Sequence, residues 1–233
     1  MKKFSIMTIS VILSTSAAIA QPIVSIGTFK IGMTEAEFRE LPDIKSKTVQ
    51  DFSNYSFRSS DSDVWRNTNE SQNPTYKHRR IYSPGYVEYT FKMPTGVKDL
   101  MGKDSYGARA IFYNDQLIEI RLDISASASQ FRDILTEKYG KPIFKDNTTK
   151  EICQNGYGAR SEHNTGSLYW TWKEKGPVEA VVSMTSFGCG KYSGAGYTVS
   201  DAQKIRFARN LEREAEENSK NEDTKRKASS SVL

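Results

Sequence analysis

Three segments in which apolar and polar residues alternate constrain the fold of this chain most strongly. They cover residues 87–93, 118–124 and 168–173. In the first segment, for example, Tyr89 and Phe91 are separated by Thr90. A period of two predicts strands with one buried and one solvated face, which is typical of antiparallel sheets. An all-helical fold is therefore excluded.

Turn signals connect some of these strands into hairpins. Asn114-Asp115-Gln116 separates the apolar residues 110–113 from the second alternating segment, which predicts a tight hairpin. A second turn at 174–177 leads from the third segment into a strand over 178–184. Sequential antiparallel strands are therefore expected.

Two helices begin with the same capping pattern. At Thr34 the hydroxyl can accept from the amide three residues on, while Glu37 reaches back to the amide of Thr34. Ser127 and Gln130 repeat this spacing before an apolar stripe, and Gly140 is placed for a left-handed C-terminal cap. Each helix precedes antiparallel strands.

The order of elements predicts an α+β fold with an antiparallel sheet and helices packed on one face. The repeated order also suggests two helix-plus-strands pseudo-repeats. We expect a single α+β domain over residues 21–199, with two packed halves, 21–125 and 126–199, as the alternative. Residues 200–233 are predicted to form a charged helix capped at Ser200-Asp201, followed from Asn218 by a mobile tail.

The first 20 residues have the pattern of a secretory signal peptide. Lys2 and Lys3 precede the apolar stretch 4–13, and Ala18-Ile19-Ala20 is a cleavage site of the A-x-A type. We expect cleavage after Ala20 and a periplasmic or secreted protein with no integral membrane span after cleavage. A retained membrane anchor is the alternative, although serines and threonines interrupt a stretch that is already short.

Export decides how the two cysteines are interpreted. In an oxidising compartment, Cys153 and Cys189 are expected to form a disulfide bond. In the chain-entropy treatment such a bond stabilises the fold by roughly 3–4 kcal/mol. The alternative is a catalytic thiol at Cys189, for which only His78 and His163 could supply an imidazole base.

Charge and motifs exclude several classes of function. The chain has 33 Lys and Arg against 28 Asp and Glu, with the two signs interspersed, so we predict no nucleic-acid partner. The glycines around Cys189 do not meet the spacing of a phosphate-binding loop and are interpreted as turn residues. No metal-ligand spacing or nucleophile motif is present, so no metal, cofactor or catalytic residue is predicted. A carboxylate pair that meets only in space stays open.

Two groups of residues are candidates for binding. The first is the basic cluster of residues 76–82, which could hold a phosphate, a carboxylate or an acidic partner surface, or could simply be solvated. Its candidate binding residues are Lys77, His78, Arg79, Arg80 and Tyr82. The second group is Trp170 and Trp172, which share one face of a strand. That face is interpreted as core, or, if uncovered, as an aromatic platform for sugar or peptide.

The segment Ile31-Gly32-Met33-Thr34-Glu35-Ala36-Glu37-Phe38 resembles the opening of small bacterial envelope domains. An I-G-M-T-x-x-E-(V/F) segment starts a short helix in outer-membrane-assembly lipoproteins of the SmpA/OmlA type and in the β-lactamase-inhibitor-protein-like fold. The resemblance implies a non-enzymatic, protein-binding envelope module. This chain lacks the lipid-attachment cysteine of the lipoproteins and adds a charged terminal helix.

The sequence therefore predicts an exported, non-enzymatic interaction module that binds a protein or an envelope component. The alternative is a small exported hydrolase that uses paired carboxylates on an envelope polymer. A secreted effector or inhibitor with its target in another cell is a third possibility. The sequence does not identify the partner or the oligomeric state.

Overall fold

A computed structural model describes residues 25–51, 64–70, 81–92, 107–124, 128–154, 156–173, 176–189 and 192–230. The first part begins with a short hairpin, β1 (Ser25–Ile26) and β2 (Phe29–Lys30), followed by helices α1 (Glu35–Arg39) and α2 (Pro42–Lys45). Five strands follow: β3 (Val49–Asp51), β4 (Val64–Asn67), β5 (Tyr86–Phe91), β6 (Ala108–Tyr113) and β7 (Gln116–Asp123). The signal-peptide segment 1–20 lies outside the described residues.

The second part begins with helix α3 (Ala128–Tyr139), whose predicted cap residue Ser127 lies outside the described residues. Four long strands follow: β8 (Ile143–Gln154), β9 (Arg160–Lys173), β10 (Val178–Phe187) and β11 (Tyr192–Asp201). The helix α4 (Ala202–Ser230) ends the described chain. None of the described helices is both long enough and apolar enough to cross a membrane.

Nine strands form one sheet in the order β3-β4-β5-β6-β7-β11-β10-β9-β8. All neighbours are antiparallel except β3 and β4, which are parallel. The sheet consists of two meanders, β4–β7 and β8–β11, joined where β7 pairs with β11. Each meander follows helical residues in the chain. The α+β class is confirmed.

The main core lies between one face of the sheet and helices α1, α2 and α3. Phe38 of α1 is completely buried, and its ring packs 5.0 Å from that of Tyr89 and 5.3 Å from that of Phe112. Phe131 and Leu135 of α3 are buried in the same core, which extends to Trp172. The capping box at Thr34 and Glu37 is present and begins α1 as predicted.

Helix α4 packs on the opposite face of the sheet, where Ile205 and Ala208 contact Ile111 and Ile118. This differs from the prediction that helices cover one face only. Ile118 reaches this second face through a register shift between Ile111 and Phe112, where β6 pairs with β7. The irregularity turns Ile118 away from Ile120 and the main core, so both faces of the sheet have apolar surface to bury.

Helix α4 is also longer than the sequence predicted. The Asp201 carboxylate accepts from the amides of Gln203 (3.1 Å) and Lys204 (3.0 Å), which confirms the predicted cap. The helix then continues to Ser230, through the segment from Asn218 that was expected to form a tail. That segment contains no glycine or proline that would break the helix, and it includes Lys220 and the run Lys225-Arg226-Lys227-Ala228, whose residue types favour helix.

Local turn chemistry follows the sequence closely. Asn114 and Asp115 have positive φ values of 48° and 59° in the predicted hairpin. Gly140 has a φ of 81°, and its amide donates to the carbonyl of Thr136 at 2.9 Å, so the predicted cap ends α3. Strand β8 was not predicted, because 10 of its 12 residues are exposed and its sequence has no apolar alternation.

Candidate functional site

The best candidate site is a shallow groove of about 280 Å³ on the outer part of the main-core face of the sheet. The residues that define it are Phe144, Asp146 and Thr148 of β8, Leu168 of β9, and Met184 and Ser186 of β10. We call this surface the sheet groove.

The sheet groove exists because the strands continue beyond the helix that covers them. Trp172 pairs with Ala180, Trp170 with Val182, and Leu168 with Met184, so these residues share one face. Exposure rises along this face from 2% at Trp172, under α3, to 39% at Met184. The groove is therefore an uncovered extension of the hydrophobic core.

The two tryptophans predicted as a pair have different environments. Trp172 is buried, and its indole N–H donates to the carbonyl of Gly140 at 2.9 Å, so it is a core residue. Trp170 is half-buried at the boundary of the sheet groove. Its ring lies 5.4 Å from that of Phe144, and the Arg132 guanidinium lies 5.7 Å from its centre. Trp170 and Phe144 thus form an aromatic wall beside the groove.

Asp146 is the one titratable side chain among the described residues that line the sheet groove. Its carboxylate accepts from the hydroxyl of Thr148 at 2.7 Å and from the amide of Thr148 at 2.8 Å. These two hydrogen bonds lower the pKa of Asp146. Combined with apolar side chains and neutral hydroxyls, a single carboxylate suits binding by contact and hydrogen bonding.

The predicted disulfide bond is confirmed. Cys153 and Cys189 are bonded, with their Cα atoms 5.3 Å apart. The bond ties the far end of the β8–β9 hairpin to the turn between β10 and β11. Next to it, the Glu151 carboxylate accepts from the Thr165 hydroxyl at 2.8 Å. Because both sulfurs are in the bond, neither is available as a thiolate nucleophile or metal ligand.

The predicted basic cluster is largely outside the described part of the chain. Lys77, His78, Arg79 and Arg80 all belong to the segment that the structure does not describe. Tyr82, which is described, is only 5% exposed, and its ring stacks on that of Tyr86 at 4.9 Å. Tyr82 therefore belongs to the small core under α4.

Sequence reasoning missed a charged cluster in the other meander. One oxygen of Glu35, Oε1, accepts from Arg39 at 3.0 Å, from Arg66 at 3.1 Å and from the Tyr89 hydroxyl. Arg39 also donates to the Tyr89 oxygen at 2.7 Å. The Glu35 amide is capped by the Asp115 carboxylate at 2.9 Å.

The pKa shifts in this cluster arise from burial and from the hydrogen bonds and charges of its own members. Burial by itself would raise the pKa of Glu35, but the hydrogen bond from Tyr89 and the charges of Arg66 and Arg39 outweigh it and lower the pKa. Burial and the hydrogen bond to Glu35 raise the pKa of Tyr89 to about 12. The groups bind one another, so the cluster fixes α1 to strands β4 and β5 rather than forming an open catalytic site.

Only the pair Glu35 and Arg39, four residues apart, could have been found from the sequence, as a helix ion pair. Arg66 and Tyr89 join it through strand pairing, in which these two residues are direct neighbours. No local pattern indicates that pairing.

Comparison of the chain with family models, with curated proteins and with solved structures gave no significant match.

Proposed function

We propose that this protein is an exported, non-enzymatic binding module, and that it binds a protein partner through the sheet groove. The observation that carries the proposal is the rise in exposure along one continuous face, from buried Trp172 to Met184. Apolar side chains on an exposed sheet face contribute binding energy when a partner covers them.

The composition of the sheet groove favours an extended protein segment as the partner. Phe144 is 54% exposed and, with Met184, offers apolar contact, while Thr148 and Ser186 offer hydroxyl groups. An extended segment presents apolar side chains and backbone polar groups together, so it can use both kinds of contact. A glycan or another envelope component is the other ligand class for such an aromatic-walled groove.

The groove does not favour the hydrolase alternative. Acid–base hydrolysis of a glycosidic bond requires two carboxyl groups within about 10 Å of each other. Among the described lining residues, Asp146 is the only carboxylate. A binding site does not require a second carboxyl group.

The disulfide supports the exported part of the proposal. Cysteine pairs persist in the periplasm and outside the cell, and are rare in reducing compartments. The bond between Cys153 and Cys189 crosslinks the hairpin that carries one wall of the sheet groove. The prediction of a cleaved signal peptide over residues 1–20 gives the same compartment.

The experiment is affinity capture from envelope extracts with a groove variant and a matched control. Phe144→Ser removes an aromatic side chain that is 54% exposed in the groove, and Phe207→Ser removes one that is 55% exposed on α4. We expect a protein that is retained by the unchanged chain and by Phe207→Ser, and that is lost with Phe144→Ser. Equal retention by all three chains, or no retained protein, would refute the groove as the binding site.

A further inference from the structure

Strand β8 is an open edge of the nine-stranded sheet. It is the last strand in the sheet order and pairs only with β9 among the described strands. Its 12 residues include 10 that are exposed, and the apolar side chains of Phe144 and Ile152 are 54% and 70% exposed. A long open edge is a template for pairing with another strand.

The sequence of β8 is complementary to itself in one antiparallel register. With Thr148 opposite Thr148 of a second copy, Asp146 lies opposite Lys150 and Lys145 lies opposite Glu151. The same register places Phe144 opposite Ile152, so these two exposed apolar side chains also meet. Each of these pairs occurs twice because of the two-fold symmetry.

Adjacent registers lose this complementarity. With Asn147 on the two-fold axis, Phe144 would lie opposite Lys150. With Thr149 on the axis, Asp146 would lie opposite Ile152. Opposite charges and apolar pairs directly across an antiparallel ladder stabilise it, while mismatched pairs do not. The charge pattern therefore selects one register and disfavours unlike strands.

We propose that the protein forms a two-fold symmetric dimer in which the β8 strands of two copies pair antiparallel about Thr148. At the two-fold axis, the backbone amide of Thr148 can replace a hydrogen bond within its own strand by one to the second copy. The Thr148 amide donates to the exposed Asp146 carboxylate of its own strand at 2.8 Å. In the dimer that amide donates to the Thr148 carbonyl of the second copy, and the Asp146 carboxylate pairs with Lys150 across the axis.

The dimer extends the binding surface beyond the function proposed above. Phe144, Asp146 and Thr148 line the sheet groove on its open side, and they are also the residues that meet the second copy. Pairing places Ile152 and Lys150 of the second copy next to that open side. The two grooves then lie on the same face of one continuous sheet, related by the axis.

Charge reversal tests the register. Sedimentation velocity over a concentration series should show a dimer for the unchanged protein. Asp146→Lys places two lysines opposite each other, and Lys150→Asp places two aspartates opposite each other. The dimerisation affinity of each variant alone should be lower than that of the unchanged protein by a factor of about ten or more. An equimolar mixture of the two variants should restore the dimer, because the lysines of one edge then meet the aspartates of the other on both sides of the axis.

Two controls separate pairing from misfolding. Lys220→Asp makes the same charge change on an exposed position of α4 and should leave the dimer unchanged. Lys150 also pairs with Glu162 on β9 at 2.8 Å, so circular dichroism and an intact disulfide must confirm that each variant folds. If Lys150→Asp does not fold, Thr148→Cys provides an independent readout.

A cysteine at position 148 faces its own copy across the axis, at a spacing compatible with a disulfide. Mild oxidation should crosslink Thr148→Cys to a covalent dimer much faster than Lys145→Cys, with Cys153 and Cys189 still paired by mass mapping. A monomer at every concentration, equal crosslinking of the two cysteine variants, or a mixture of folded charge variants that stays monomeric would each overturn the proposal. Lys150 is not among the residues that line the sheet groove, so capture from envelope extracts by folded, monomeric Lys150→Asp tests the groove apart from the dimer, and the two proposals fail separately.

Discussion

Glu35→Gln tests whether the charged cluster stabilises the fold. The substitution keeps the size of the side chain and one acceptor oxygen but removes the charge that Arg39, Arg66 and Tyr89 all contact. A hydrogen bond to a charged group contributes about 1.5–3 kcal/mol, and a neutral one about 0.5–1.5 kcal/mol. With Gln the Tyr89 bond becomes neutral and each arginine loses its ion-pair attraction, at about 1 kcal/mol per contact, so the three contacts together lose about 3 kcal/mol.

Solvent exposure reduces that figure. The side chain of Glu35 is 19% exposed, while those of Arg39 and Arg66 are 46% and 27% exposed, so both ion pairs are partly screened. We expect a loss of about 2 kcal/mol in the free energy of unfolding at neutral pH. For a chain of this size that corresponds to a decrease in Tm of about 4–8 °C.

The stabilisation by Glu35 depends on pH, and the direction of that dependence follows from the pKa of Glu35. The pKa of Glu35 is lowered in the folded protein from its ordinary value of 4.5. The stabilisation is therefore complete above 4.5 and is lost as the pH falls through the lower folded value. The difference in unfolding free energy between the unchanged protein and Glu35→Gln should shrink steadily over this acid range.

Urea denaturation followed by tryptophan fluorescence, at neutral pH and at several acid pH values, measures this difference. Glu40→Gln is the matched control, because Glu40 pairs with Lys45 where both side chains are more than 60% exposed. The control should change the unfolding free energy by less than about 0.5 kcal/mol. A Glu35→Gln effect no larger than the control, or one that does not change with pH, would refute the reasoning.

Three further changes test the disulfide, a contact to the first turn of α1 and a close backbone approach within β9. Cys153→Ser with Cys189→Ser opens a loop with a sequence separation of 36 and should cost about 4 kcal/mol in urea denaturation; reductant should destabilise the unchanged protein but not the variant. Asp115→Gly keeps the positive φ but removes the carboxylate that accepts from the Glu35 amide in the first turn of α1, and should cost about 1 kcal/mol by thermal unfolding. An unchanged Tm would contradict this. Gly166→Ala should cost about 2 kcal/mol or more, because φ is +128° and the new Cβ would lie 2.3 Å from a backbone oxygen; Gly156→Ala, with open space around it, should be nearly neutral, and equal effects would contradict the steric argument.

The charged cluster and the sheet groove could not have been derived from the sequence, because both depend on which strands become neighbours. Arg66 meets Tyr89 only because β4 pairs with β5 in one register. The groove exists only because α3 ends before the strands beneath it do, which leaves Met184 uncovered. Likewise, Tyr82 was a reasonable binding candidate beside basic residues, yet it stacks on Tyr86 in a core that α4 completes.

The sequence by itself determined the features that depend on a few neighbouring residues: the cap at Thr34, the turn at Asn114-Asp115, the end of α3 at Gly140, and the α+β class. It also determined the disulfide, since the chain has two cysteines and therefore one intramolecular pairing. Tertiary structure decided the rest, including the side of the sheet on which Ile118 lies. Backbone turns and caps are satisfied locally, whereas burial and open edges are properties of surfaces that form only when distant strands pair.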